Sequence, residues 1–309
     1  MRAIVAAPKV PGGVEIRDVA DPRPVANQTL VSIEATSLNR GECVALRREI
    51  DGFRPGWDLA GVVVRPALDG SGPPEGARVV GWVNGQSWAE LAAVRTDHLA
   101  ELPAHLSFDV ASTLPVAGLT AVGALSIEGS LLGRRVAVTG AAGVVGRFAI
   151  QLARMAGAHV TAIVGRRERE AGLVELGAHE VHVGFADEGE PFDLILESAG
   201  GRSLATAVGR VSSEGVIVSF GNSSGEPTTF DPRTFYRKGA ATIRGYFVTH
   251  ELLRGRTGRS QLAALAALVA DGRLESKISL TASWTEAPRA IDALLERSVN
   301  GKAVLTIDG

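Results

Sequence analysis

Cysteine and long apolar runs are scarce in this chain, and their scarcity excludes several classes of protein. The 309 residues include one cysteine, Cys43, so neither an intrachain disulfide framework nor a cysteine-rich structural zinc site can form. The longest apolar stretch, Leu262 to Ala270, is far shorter than the ~20 residues that a membrane-spanning helix needs. The N-terminus has no long apolar core behind a basic start, so no signal peptide is predicted and a cytoplasmic location is expected.

The chain also lacks an excess of charge of either sign. Lys+Arg 32 and Asp+Glu 34 leave a formal net charge of -2, which argues against a nucleic acid or an anionic membrane as the partner. Hydrophobic residues make up 45% and charged residues 21%, a composition typical of globular proteins. At roughly 150 residues per domain, the length predicts two domains.

Metal-ligand spacing and nucleophile motifs are missing too. The histidines are scattered, and His179 and His182 flank a predicted strand, where residues three apart point to opposite faces. No G-x-S-x-G elbow and no H-E-x-x-H motif occurs. We therefore predict no metal site. The six histidines are His98, His105, His159, His179, His182 and His250.

The pattern of apolar residues changes near Pro103. The first hundred residues contain short strand-like runs between Gly and Pro turns, which predict a small antiparallel barrel or sandwich. From Arg134 onward strands alternate with helices, which predicts βαβ units and a parallel sheet. Residues 249–309 end in the apolar run Lys302–Ile307, a strand that could return to the first domain. The predicted helices are Phe108–Ile127, Phe148–Ala156, Arg167–Leu176, Ser260–Ala270 and Glu286–Arg297, and the strands of the parallel sheet are Arg135–Thr139, His159–Val164, Glu180–Val183, Phe192–Glu197 and Gly215–Phe220.

A glycine-rich loop follows the first strand of this sheet and carries the main chemical signal. It reads Gly140-Ala141-Ala142-Gly143-Val144-Val145-Gly146, the G-x-G-x-x-G dinucleotide fingerprint with Ala141 in the first glycine place. The second glycine of the fingerprint lets the backbone approach a pyrophosphate, and the third lets the helix pack on the strand. The helix N-terminus then offers N–H groups to the phosphates. The alternative is a glycine-rich turn that serves helix packing alone.

The end of the second strand indicates which dinucleotide binds. NAD-binding proteins usually carry a carboxylate about 20 residues after the last glycine of the fingerprint, whereas this chain has Gly165-Arg166-Arg167 there. A glycine leaves room for a 2′-phosphate, and a guanidinium can bind it with two parallel hydrogen bonds. The pattern favours NADP(H). The alternative is a solvated helix start in which Glu168 and Glu170 pair with the arginines.

Several segments in order along the chain resemble the zinc-free quinone oxidoreductase branch of the medium-chain dehydrogenase/reductase superfamily. Zinc alcohol dehydrogenases usually have Gly-His-Glu where this chain has Gly56-Trp57-Asp58, so Trp57 and Asp58 replace the metal-type pair. The segments are Ser37–Glu42, Pro55–Val63 (P-G-x-D-x-A-G-V-V), Leu114–Ala121, Ala141–Gly146 (A-x-G-x-x-G), Glu197–Gly201, Ser219–Asn222 and Asn300–Val304.

The resemblance implies an α/β fold: a GroES-like β-barrel catalytic domain over residues 1–115, completed by residues 249–309, and a Rossmann doubly wound parallel-sheet domain over 116–248. It implies hydride transfer from NADPH, bound in the cleft, to a conjugated carbonyl compound, such as a quinone, enone or enoyl thioester. A homodimer joined through an edge of the Rossmann sheet, near Thr242–Arg244 or Val216–Val218, is expected by analogy.

Site residues follow from the same resemblance. Asn39, Arg40 or Thr120, or ordered water, could donate hydrogen bonds to the developing enolate or hydroquinone oxygen. The cofactor-binding candidates are Asn39 and Thr120 near the nicotinamide, Ala141, Ala142, Gly143, Val144, Val145 and Gly146 at the pyrophosphate, Gly165, Arg166 and Arg167 at the 2′-phosphate, Ser198, Gly221 and Phe247 along the cofactor path, and Asn300 closing it.

One departure from the branch leaves other functions open. Some relatives carry a Tyr between the Asn-containing loop and the P-G-x-D segment as a donor to the substrate, but residues 47–54 here contain none. The missing Tyr argues against an enoyl-thioester reductase mechanism that needs it, and it motivates one alternative, a non-catalytic NADPH-binding sensor or scaffold. A second alternative is an enoyl reductase that tailors a chain on a carrier protein.

Overall fold

A computed structural model describes residues 1–186, 188–255 and 258–308 and divides the chain into two compact units. The first unit is Met1–Leu119 with Thr249–Gly309, and the second is Thr120–Val248. The boundary predicted after residue 115 lies four residues before the structural one (119 − 115 = 4). The roles assigned to the domains remain predictions.

The helices and strands of the described residues follow in chain order. They are β1 (Arg2–Ala6), β2 (Val14–Asp18), β3 (Gln28–Leu38), α1 (Arg40–Leu46), β4 (Asp58–Arg65), β5 (Arg78–Trp82), β6 (Leu91–Arg95), β7 (Leu99–Glu101), α2 (Phe108–Ser112), α3 (Pro115–Leu125), β8 (Arg135–Thr139), α4 (Val144–Met155), β9 (His159–Val164), β10 (Glu180–Val183), β11 (Phe192–Glu197), α5 (Gly201–Arg210), β12 (Val211–Ser219), α6 (Pro232–Tyr236), β13 (Thr242–Gly245), α7 (Val248–Leu253), α8 (Gly258–Ala270), β14 (Ile278–Ser283), α9 (Ala287–Leu295) and β15 (Lys302–Thr306).

The first unit is built on a seven-stranded sheet in the order β14-β15-β3-β4-β5-β7, with β6 also paired to β3. The long strand β3 alternates buried residues such as Val31 and Ile33 with more exposed ones, as a strand with one face on a core does. Strand β15 runs antiparallel to β3, with Ala303 opposite Leu38. The last strand of the chain thus pairs with a strand of residues 1–119.

The second unit holds a parallel sheet in the order β10-β9-β8-β11-β12-β13. Counted within the unit, this is the Rossmann order 3-2-1-4-5-6, whose switch point lies between β8 and β11. The central strands are fully buried apolar runs, for example Val136 and Val138 in β8, because both faces of a parallel sheet are covered. Ligands in such sheets bind outside the carboxyl ends of the strands at the switch point.

Two helix predictions are wrong. Arg167–Leu176 contains a short 3₁₀ turn, Arg167–Arg169, followed by further turns, and Gly172 at φ +79° takes a left-handed conformation that ends any helix there. The predicted helix Phe108–Ile127 is divided into α2 and α3. Pro115 begins α3, and proline disfavours the helical conformation of the residue before it.

Candidate functional site

The glycine-rich loop of the second unit has the conformation that the fingerprint predicts. Gly140 adopts φ +59° directly after β8, and Gly143 caps the N-terminus of α4. A Cβ on Gly146 would lie 2.6 Å from the Gly140 carbonyl oxygen and 2.7 Å from Ala141 Cα, both backbone atoms that cannot move aside cheaply. The loop is thus tight enough to require glycine at Gly146. The first-turn N–H groups of α4, including those of Val144 and Val145, have no carbonyl acceptor within the helix and form a place for an anion.

A hydrogen-bond network fixes the neighbouring strand end at the switch point. Glu197, fully buried at the end of β11, accepts from Thr139 Oγ1 at 3.2 Å, from Ala199 N at 3.2 Å and from Gly200 N at 2.9 Å. Ser198 N donates to Thr139 Oγ1 at 2.9 Å. The carboxylate therefore connects the last residue of β8, next to the glycine-rich loop, to the start of α5.

The proposed 2′-phosphate position at the end of β9 is open. No heavy atom lies within 4 Å of a Cβ built on Gly165, and Arg166 and Arg167 are exposed. The alternative interpretation required ion pairs between these arginines and Glu168 or Glu170. Within the described ranges, neither arginine forms such a pair. Both guanidinium groups remain available to a phosphate.

The other cofactor candidates of the second unit lie at different positions. A Cβ on Gly221 would lie 2.9 Å from the Ser198 carbonyl oxygen, so the predicted residues Ser198 and Gly221 lie side by side near the glycine-rich loop. Thr120 is buried on α3, and Phe247 is largely exposed just before α7. The structure thus groups residues 141–146 with Ser198 and Gly221.

Asn39, in the first unit, belongs to a buried polar cluster. Its Nδ2 donates to Asp58 Oδ2 at 2.8 Å and to Glu42 Oε1 at 3.0 Å, and its Oδ1 accepts from Lys302 Nζ at 2.6 Å. Lys302 also pairs with Asp58 Oδ2 at 3.1 Å, and their side chains are 2% and 0% exposed. Ser37 Oγ donates to the same carboxylate at 2.7 Å. We call Ser37, Asn39, Glu42, Asp58 and Lys302 the Asn39 cluster.

Asp58 and Glu42 differ in how fully their carboxyl oxygens are satisfied. Asp58 Oδ1 accepts the Val116 N–H at 2.9 Å, so both of its oxygens are hydrogen-bonded. Glu42 Oε1 also accepts the Asn39 N–H at 2.8 Å, whereas Oε2 is buried without a partner among the described residues. Burial, followed by the nearby Asp58 charge, raises the pKa of Glu42 to about 8. Burial also raises the pKa of the adjacent Cys43 thiol.

Arg40 and Asn300, also in the first unit, lie outside this cluster. Arg40 Nη1 donates to the carbonyl oxygens of Leu294 at 3.2 Å and Leu295 at 3.0 Å, which satisfies the C-terminal end of α9. The Asn300 carbonyl oxygen accepts from Ser279 Oγ at 2.8 Å. Their roles toward a ligand remain predictions.

The sequence analysis did not assign Glu42, Asp58 or Lys302 to a site. A signal was present, since Asp58 and Lys302 each stand directly before an apolar run of a strand, and charged residues are almost never fully buried unless paired. Their pairing joins residues 244 positions apart, which only the fold brings together.

Comparison with known proteins decides the family. Residues 144–270 match the zinc-binding dehydrogenase family. The chain is 30% identical over 225 residues to the chloroplastic quinone-oxidoreductase homolog of Spinacia oleracea, covering 65% of this chain and 68% of that protein. This chain belongs to the quinone oxidoreductase-like branch of the medium-chain dehydrogenase/reductase superfamily. The resemblance found in the sequence is confirmed.

Solved structures extend the likeness over the whole chain. The quinone oxidoreductase of Coxiella burnetii has a TM-score of 0.83 at 26% identity and covers 100% of this chain and 99% of its own. The Escherichia coli quinone oxidoreductase complexed with NADPH has a TM-score of 0.87 over 99% of this chain and 100% of its own, and at 21% identity it shows the fold alone. The predicted fold class, α/β with a Rossmann sheet, is confirmed.

Some relatives are longer than the matched region. The chloroplast envelope quinone oxidoreductase homolog of Arabidopsis thaliana is 33% identical over 212 residues, so the chain spans 63% of that relative's length. The spectinabilin polyketide synthase system protein NorB of Streptomyces orinoci is 30% identical over 91% of this chain, which spans 13% of NorB. The chain is thus similar both to a quinone oxidoreductase homolog and to a small part of a much longer polyketide synthase system protein.

The described residues contain neither a group of side chains that could hold a metal ion nor a membrane-spanning helix. No three His, Cys, Asp or Glu side chains converge in a way that could hold a metal ion within residues 1–186, 188–255 and 258–308. Over the same ranges, no helix is long and apolar enough to span a bilayer. At the position where zinc-type members carry a His-Glu pair, Asp58 is instead hydrogen-bonded to Lys302.

Proposed function

We propose that this chain is a zinc-independent, NADPH-dependent oxidoreductase that reduces a conjugated carbonyl compound such as a quinone or an enone. One observation carries the proposal: the glycine-rich loop has the close packing of a dinucleotide site, and the adjacent β9 ends in open space beside Arg166 and Arg167, two exposed arginines without an ion pair to any described residue.

The residues present fit this cofactor. The first-turn N–H groups of α4 would bind the pyrophosphate, and Gly146 would keep that turn close to β8. Arg166 and Arg167 would bind the 2′-phosphate through charge-assisted hydrogen bonds, while Gly165 leaves the room it needs. When bound, NADPH supplies the hydride.

The oxygen that gains negative charge during reduction needs donors already in position. Both amide hydrogens of Asn39 are committed to carboxylates, so its remaining capacity is as an acceptor. Arg40 uses Nη1 for the end of α9, and within the described residues nothing engages its Nε or Nη2. Of the three predicted donor residues, Arg40 and Thr120 therefore remain the proposed ones.

Stopped-flow absorbance of NADPH with a panel of quinones and enones tests the proposal. We expect acceptor-dependent oxidation of NADPH, with NADH used less well. Saturable NADPH binding without turnover of any acceptor would contradict it and favour a non-catalytic, NADPH-binding sensor or scaffold.

A second candidate is reduction of an enoyl chain attached to a carrier protein. The match to the polyketide synthase protein over 91% of this chain favours it. Turnover of an enoyl thioester on a carrier protein that exceeds turnover of simple quinones would support this function, and the reverse order would support the first.

A homodimer is part of the proposal. Strand β13 lies at the edge of the Rossmann sheet, and all four of its residues are exposed. An exposed edge offers unpaired backbone groups to a second copy. Light scattering should give twice the chain mass of 32.1 kDa, and a monomeric mass would contradict this part.

A further inference from the structure

The Asn39 cluster allows one orientation of the Asn39 amide. In the observed orientation, Nδ2 faces two carboxylates and Oδ1 faces the Lys302 ammonium. A flipped amide would point Oδ1 at the Asp58 carboxylate and Nδ2 at the Lys302 ammonium, so one contact would join two acceptors and the other two donors, whether or not Glu42 carries a proton. Asn39 is partly exposed, and with both amide hydrogens engaged its remaining hydrogen-bonding capacity lies at Oδ1, which also faces the Glu42 backbone N–H in the capping box of α1.

Glu42 is the member of the cluster whose charge state is least supported by its surroundings. Asp58 has a cation and donors on both oxygens, whereas Glu42 accepts only at Oε1 and buries Oε2 without a partner among the described residues. Burying an ion without a counter-charge is costly, so a group in this position tends to take up a proton. With Glu42 neutral, the charges of Asp58 and Lys302 cancel; with Glu42 ionised, the buried cluster carries one uncompensated negative charge.

We propose that Glu42 is a positioning residue that, as a neutral carboxylic acid, holds the Asn39 amide so that Asn39 meets the ligand as a hydrogen-bond acceptor. The group that Asn39 recognises is then a donor, such as a hydroxyl or an amide N–H of the cofactor or substrate, and not a carbonyl oxygen. The part of this inference that concerns the ligand rests on the proposed function; the protonation of Glu42 does not.

The charged groups around Glu42 come from three elements. Asp58 on β4 raises its pKa and Lys302 on β15 lowers it, with burial as the largest cause. On α1 itself, Cys43 is buried beside it, and Arg40 turns to the carbonyl oxygens at the end of α9, the helix packed against α1. Above about pH 8, loss of the Glu42 proton would add a second anion next to Asp58 and disturb the amide that both carboxylates share.

Infrared spectroscopy of the ligand-free full chain tests the protonation directly. The Glu42→Gln variant keeps an acceptor for the Asn39 hydrogens and removes the acid. At neutral pH we expect the wild-type spectrum to contain a protonated-carboxyl band that Glu42→Gln lacks and that the exposed-site control Glu75→Gln retains. Identical carboxyl bands in wild type and Glu42→Gln would show that Glu42 is ionised and would overturn the proposal.

The pH dependence of NADPH affinity and of turnover tests the positioning role. In wild type, we expect the NADPH affinity or the turnover rate, whichever needs the Glu42 proton, to fall by about tenfold per pH unit above the pKa of Glu42. This slope is the one that a single required proton predicts. Glu42→Gln should stay within about twofold of wild type at neutral pH, because the isosteric amide keeps the hydrogen bonds, and should lose the alkaline fall. The control Glu128→Gln, at a half-buried carboxyl of the second unit whose pKa is also raised by burial, should keep it.

The outcomes separate this inference from the proposed function. An alkaline fall that persists in Glu42→Gln refutes the positioning role even if the infrared band is present. Failure of NADPH to bind or react in wild type refutes the proposed function, while the infrared result still decides whether Glu42 carries a proton.

Discussion

The buried pair Lys302–Asp58 gives a prediction whose size follows from the structure. Replacing Lys302 by Met removes an ammonium that donates to Asn39 Oδ1 at 2.6 Å and to Asp58 Oδ2 at 3.1 Å, and it leaves a fully buried carboxylate without its cation. Removing one partner of a buried ion pair costs about 3–5 kcal/mol. Loss of two charged hydrogen bonds at about 1.5–3 kcal/mol each gives about 3–6 kcal/mol, which overlaps that range.

The assay can isolate the unit in which the pair lies. All four tryptophans, at positions 57, 82, 88 and 284, belong to the first unit, so tryptophan fluorescence during urea unfolding reports on that unit. We expect Lys302→Met to lower its free energy of unfolding by about 3–5 kcal/mol. The exposed-lysine control Lys9→Met should stay within about 0.5 kcal/mol of wild type.

A double variant separates a stranded charge from simple loss of contacts. Asp58→Asn combined with Lys302→Met removes both charges, so we expect it to be more stable than Lys302→Met alone, because no ion is then left buried and unpaired. An effect of Lys302→Met no larger than that of Lys9→Met, or a double variant less stable than Lys302→Met, would refute the reasoning.

Three further predictions follow from single contacts. Gly146→Ala should weaken NADPH binding by at least about tenfold, because its Cβ would lie 2.6 Å from a backbone oxygen, whereas Gly209→Ala on α5 should not; equal affinities by calorimetry would contradict this. Arg166→Ala should weaken NADPH binding by about 10- to 100-fold and leave NADH binding unchanged, as expected for a charged hydrogen bond to the 2′-phosphate, with exposed Arg237→Ala as the control; a parallel loss for both cofactors would exclude that role. Burial lowers the pKa of His98, so the folded state binds this proton less readily than the unfolded state. Unfolding measured by tryptophan fluorescence should therefore become easier as pH falls below 6.5, and an unchanged stability in that range would be inconsistent with a buried neutral imidazole.

The parallel sheet was predictable because its signal is local. Strands β8, β9, β10 and β11 have the bounds that the sequence predicts, since buried parallel strands are short apolar runs between turn residues. The loop that ends at Gly146 was predictable for the same reason, because Gly143 and Gly146 pack against backbone atoms of the same loop.

The Asn39 cluster shows what a sequence alone does not reveal. Asn39 could be selected from the resemblance, but its partner Lys302 lies 263 residues away, and pairing depends on β15 returning beside β3. The orientation of the amide, and with it the change from expected donor to acceptor, depends on three side chains meeting in space. The helix predicted over 167–176 does not form for a local reason to which helix propensity gives little weight. Gly172 adopts a left-handed backbone conformation.

The most direct test of the account is a calorimetric titration of the wild-type chain with NADPH and, separately, NADH. We predict saturable binding of NADPH, with a clearly lower affinity for NADH because the guanidinium groups of Arg166 and Arg167 lack their phosphate. Absence of heat with both coenzymes, confirmed by a second binding method, would contradict the dinucleotide site on which the proposed function depends.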